Sequence, residues 1–166
     1  MRHLAKFIWI SAAVGFCGTS GAQQLGQSTG DYAIDLNAIY GASQAVRLIK
    51  EICSEDFPET KLANERLYAD WRTKNLKFLQ EVERHMNKAV SDEAKASPKA
   101  ATETVSALNR AMRAFKATQR KDMAADGVAT YRVRCNSYGA LSKSQQWDLE
   151  SSMAEEVAAM RKGPTK

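Results

Sequence analysis

From Pro58 to about Val90 the chain carries no further proline and no glycine, and Asn64, Tyr68, Trp71, Asn75, Phe78, Val82, His85 and Ala89 alternate at spacings of four and three. That alternation keeps side chains on one face of an α-helix. Leu67, Leu79 and Met86 widen the same face, and Pro58 suits a first helical turn, where no amide donor is needed. A helix of this span covers about 48 Å at 1.5 Å per residue. A rod of that length fits an elongated bundle.

The rest of the chain follows the same period. Pro98 opens another helix after the polar run from Ser91 to Ser97, and Ala101, Val105, Leu108, Met112 and Phe115 form its core stripe before a stop at Asp126-Gly127. Upstream, Ile39, Val46, Ile49 and Cys53 repeat at seven, three and four, which predicts a helix ending near Cys53. Residues 31–40 are less regular, and Gly41 reads as a separator between a short helix and the main one. Cys135 falls on a short helix, although the Val, Thr and Tyr around it also suit a strand. A last helix from about Ser144 to Lys162 turns Trp147, Met153, Val157 and Met160 inward and stops at Gly163-Pro164. There is no hairpin dipeptide between alternating apolar runs and no internal repeat. The expectation is all-α: one domain over residues 31–166, an antiparallel bundle of four to five helices with one disulfide, following a cleaved signal peptide.

Residues 1–22 carry that signal. Arg2 and Lys6 precede ten largely apolar residues, Phe7 to Phe16, and a small, polar run from Gly18 to Ala22 follows. This is the order of a secretory signal peptide. The apolar run is shorter than the roughly 20 residues a membrane helix needs, so no membrane span is expected after cleavage. Ser20 and Ala22 place the mature start at Gln23. Cys17 raises the alternative of a lipid anchor, but Phe16 stands where a small residue would be needed. Residues 23–30 are polar and aperiodic and read as a flexible lead-in. The expected location is periplasmic or secreted.

Export governs the reading of charge and cysteine. Residues 1–22 hold two of the 24 Lys and Arg and none of the 19 Asp and Glu, so the mature chain is mildly basic, about +3. It has no Lys/Arg block of the length a polyanion-binding arm needs, and no nucleic-acid role is expected. Two cysteines survive cleavage, Cys53 and Cys135. In an oxidising compartment they are expected to pair, closing a loop that stabilises by at most roughly 4.5 kcal/mol on the chain-entropy model. Two buried free thiols are the alternative.

Few residues carry chemistry. His85 is the only histidine after cleavage, so no metal site and no cofactor are implied, and it reads as a boundary residue of the bundle. Glu51, Glu55, Asp56 and Glu59 cluster near Pro58. Paired carboxylates there would suit glycoside chemistry; the plainer account is acids gathered at the positive end of a helix. Arg110, Arg113, Lys116 and Arg120 share one helix face, with Lys99 and Lys121 on the same helix. Like charges at this spacing repel by roughly a few tenths of a kcal/mol per pair. Asp148, Glu150, Glu155 and Glu156 of the last helix are one source of neutralisation; an acidic partner, either another envelope protein or an anionic envelope polymer, is the other. Tyr68, Trp71, Asn75 and Phe78 form a core face with the Asn residues at its edge, or a partner-binding groove if the other helices leave it open.

The stretch from Glu51 to Asn75 resembles small helical periplasmic proteins of Gram-negative bacteria: a cysteine near a helix end, then a Pro, then Tyr and Trp with Asn down the next helix. Most such proteins have no assigned activity. Lysozyme inhibitors share the helical, cysteine-bearing character but carry more cysteines than Cys53 and Cys135 provide. The expected function is that of a non-enzymatic envelope protein acting by protein binding. The alternative is a small cell-wall-directed enzyme, or a protein like the lysozyme inhibitors.

Overall fold

The computed structural model describes residues 27–164. The signal segment 1–22 with Cys17, the expected start at Gln23 and the first part of the lead-in lie outside the described residues. Among those described, every regular element is helical and none is a strand.

Helix α1 (Tyr32–Asp56) is the centre of the molecule, packed against the helices that cover Lys61–Lys74, Leu76–Ala96 and Pro98–Ala124 and against the C-terminal helices Leu149–Ser152 and Ala154–Lys162. Asp31 starts it: the carboxylate accepts from the amides of Ala33 and Ile34, which have no partner within the helix. Gly41 does not separate two helices. It lies within α1 in open space, because the roughly 1 kcal/mol that a glycine costs a helix is small beside the burial of Leu36, Ile39, Val46, Leu48 and Ile52.

Pro58 opens a single 3₁₀ turn (Pro58–Thr60), and the long rod then runs as α2 (Lys61–Lys74) and α3 (Leu76–Ala96), interrupted at Asn75. Ser97 caps α4 (Pro98–Ala124), its Oγ accepting from the Ala100 amide at 3.2 Å. Gly127, at φ +88°, turns the chain into α5 (Val128–Asn136). The segment around Cys135 is therefore helical. Helix α6 (Tyr138–Lys143) follows, and the last helix expected over 144–162 is broken into a 3₁₀ turn (Gln145–Trp147), α7 (Leu149–Ser152) and α8 (Ala154–Lys162), which ends at Gly163 with φ +77°.

Two apolar clusters hold these elements. The larger brings Leu36, Ile39 and Val46 of α1 against Trp71, Phe78, Val82 and Met86, closed by Leu149, Met153, Val157 and Met160. The smaller surrounds the Cys53–Cys135 disulfide, with Ile52, Phe57 and Tyr131. Phe57 meets the Tyr131 ring edge-on at 4.9 Å. Helix α4 departs from its expected stripe. Of its 27 residues only Ala101 and Gln119 are buried; Leu108, Met112 and Phe115 are half-buried and Val105 is 42% exposed.

Candidate functional site

The acidic cluster and the basic stripe face each other. Glu51, Glu55 and Asp56 lie in the last two turns of α1, where the helix dipole disfavours them, and α4 brings its cations alongside. Lys116 Nζ reaches Glu55 at 2.6 Å and Glu51 at 3.5 Å. Arg120 donates to Glu55 at 2.5 Å and to Asp56 at 2.9 Å. The Tyr131 hydroxyl donates to the same Asp56 oxygen, and Arg132 pairs with Glu59 while lying 4.7 Å over the Phe57 ring.

Hydrogen bonds from Lys116 and Arg120 hold the Glu55 carboxyl below its ordinary value. Burial, helped by the Asp56 bond, pushes the Tyr131 hydroxyl up to about 12. These carboxylates are tied by cations, and of the four only Glu59 stands in a first turn. The expected neutralisation by the last helix is corrected accordingly: Glu150 pairs with Arg161 at 2.7 Å, and Glu155 accepts the Ser28 amide at 3.2 Å.

The stripe is thereby split. Lys116 and Arg120 turn toward α1, while Arg110 and Arg113 are exposed, with no ion-pair partner among the described residues. Lys99 lies within 3.9 Å of Glu103 one turn on.

The face expected to be core or groove is covered. Trp71, Asn75 and Phe78 are buried, at 4%, 8% and 5% exposure. Trp71 Nε1 donates to the Trp147 carbonyl at 2.9 Å. Tyr68 stacks on Trp71 and receives Lys50 over its ring at 5.4 Å. Asn64, expected at the edge, is buried too, donating to Thr60 Oγ1 at 3.0 Å.

A second constellation gathers at the start of α1. Buried Asp35 accepts from Ser28 Oγ at 2.6 Å, the Thr29 amide at 2.8 Å and Thr29 Oγ1 at 2.9 Å. Residues 28–30, expected to be flexible, are thereby tied down as a strap. The Tyr32 hydroxyl meets His85 Nδ1 at 3.0 Å. Burial raises the Tyr32 hydroxyl and lowers His85, the latter with Arg84 adding to the effect. Between strap and α8 lies a cleft of about 410 Å³, lined by Ser28, Tyr32, Glu155, Ala158, Ala159 and Lys162 among others.

The sequence reading missed this cleft. Its one local signal is Ser28-Thr29-Gly30-Asp31, a run of cap-forming residues directly before a helix. Among the described residues, no three His, Cys, Asp or Glu side chains converge to hold a metal ion, and no helix is long and apolar enough to cross a membrane.

No family model matches the chain, and neither a curated protein nor a solved structure shows significant similarity to it.

Proposed function

We propose that this is an exported protein that works by binding an acidic partner protein through the outer face of α4. One observation carries the reading: α4 is 27 residues long and buries only two of them. Its inner cations are neutralised by Glu51, Glu55 and Asp56, whereas Arg110 and Arg113 stand exposed, as Val105 does, on a helix whose Met112 is only half-buried. Cations next to incompletely buried apolar surface suit a partner that brings carboxylates and an apolar strip. The Cys53–Cys135 disulfide supports export, because such bonds persist in oxidising compartments. The carboxylates that the cell-wall enzyme would need are engaged by Lys116, Arg120 and Arg132.

The test is affinity capture from an envelope extract with the wild-type chain and with Arg110→Glu/Arg113→Glu. A salt-sensitive partner retained by the first and lost by the second, at unchanged melting temperature, is the expected result. Equal capture by both overturns the reading. So does cell-wall hydrolysis by the purified chain that disappears in Glu55→Gln.

A further inference from the structure

We infer that the cleft between the Ser28–Tyr32 strap and α8 is a binding site for a short zwitterionic peptide of about three residues. This inference is independent of the α4 reading. Glu155 and Lys162 stand seven positions apart on α8, so they share one face two turns apart, with about 10 Å between their Cα atoms. They are not paired with each other, and neither has an ion-pair partner among the described residues. Ala158 and Ala159 lie between them and leave the floor open. A peptide in extended form spans roughly 3.3–3.6 Å per residue, so a tripeptide places its ammonium at Glu155 and its carboxylate at Lys162. The cleft volume, about 410 Å³, falls in the range of small-ligand sites.

The walls are held in place before any ligand arrives. Asp35 fixes the strap through Ser28 and Thr29, and Ser28 in turn donates its amide to Glu155. His85 fixes the Tyr32 hydroxyl, so the Tyr32 ring stands as a wall against the middle of the peptide. The strap is tied by hydrogen bonds to a buried carboxylate at the position that shapes the cleft, and pre-formed walls lower the ordering cost of binding.

The test is titration of the isotopically labelled exported chain with trialanine, N-acetyl-trialanine and trialanine amide, read by amide chemical shifts. Saturable shifts at Tyr32, Ala158 and Ala159 with trialanine are expected, with each blocked peptide weaker by roughly fivefold or more, the effect of one lost charge-assisted contact. Glu155→Gln, which keeps an acceptor for the Ser28 amide, and Lys162→Gln should each weaken trialanine to a similar degree. Absence of saturable shifts overturns the site, and so does equal binding of the blocked peptides, an arm that needs no variant to fold. Unchanged affinity in both variants overturns it as well.

Discussion

The side-chain amide of Asn75 donates to the Trp71 carbonyl at 2.8 Å, the oxygen that its own backbone N–H reaches at 3.0 Å. One acceptor therefore serves two donors of the same residue, and the rod is interrupted there, with Asn75 at φ −97° and ψ 10°. An Asn side chain that bonds nearby backbone competes with the helix ladder. Asn75→Ala should cost on the order of 1 kcal/mol, since the lost buried bond outweighs the gain in helix propensity. Asn75→Pro should cost about 3 kcal/mol or more, because it also removes the N–H bond to Trp71. Urea midpoints of wild type and the two variants give the comparison; an Asn75→Ala midpoint equal to that of wild type would show that the side-chain bond carries no weight.

The two tryptophans of this region should respond differently. Trp71 donates its Nε1–H to the Trp147 carbonyl, whereas Trp147 Nε1 is buried with no hydrogen-bond partner among the described residues. Trp71→Phe loses volume and a bond, at a cost of roughly 2–3 kcal/mol. Trp147→Phe removes a donor that has no acceptor and should cost at least about 1 kcal/mol less. Calorimetric melting of the two variants decides it, and a reversed order would refute the assignment.

The disulfide joins positions 82 residues apart and sits in a small cluster separate from the main core. Reduction should lower the cooperative midpoint by an amount corresponding to a few kcal/mol, roughly 4.5 at most on the loop-entropy model. Most helical signal should survive at low temperature, because the larger cluster does not include the cysteines. Circular dichroism melts with and without reductant are the measurement; coincident melts would remove the bond from the stability account.

Stability should fall as pH rises from about 10 to about 12. Tyr131 holds its proton up to about 12 in the folded chain against an ordinary value of 10. Within that window the unfolded chain has lost the proton and the folded chain has not, so each step upward favours unfolding. The effect is about 3 kcal/mol at most. Tyr131→Phe should flatten this part of the profile relative to wild type, as read by urea midpoints near pH 9 and pH 11. At the acid end the sign reverses. Glu55 and Glu81 are held below the ordinary range by hydrogen bonds from Lys116 and Arg120 and from Arg161. Their contribution is complete at neutral pH and is lost as pH falls below about 4.3, the ordinary glutamate value.

Export has its own readout. Intact mass of the secreted or periplasmic chain should correspond to a start at Gln23 with no lipid on Cys17. A mass that retains Met1, or one with a diacylglyceryl adduct, would refute the reading of residues 1–22.

What the sequence determined by itself was local or arithmetic. Pro58, Pro98 and Gly163 mark where helical segments begin or end because their backbone preferences act within one turn. Cys53 could pair only with Cys135 once residues 1–22 were set aside. Asn75 shows where that reach ended. Its spacing fitted a continuous helix, and the interruption rests on a side-chain bond that periodicity does not encode. The tertiary structure alone decided how the pieces met. That Glu55 answers Lys116 and Arg120, rather than the last helix doing so, depends on α1 and α4 lying side by side some 60 residues apart in sequence. Burial of Trp71 and Phe78, and the cleft between Tyr32 and Lys162, likewise depend on which helix covers which face. Charge pairing and burial act through space, and the spacing of residues along a chain describes only the turns it makes with its near neighbours.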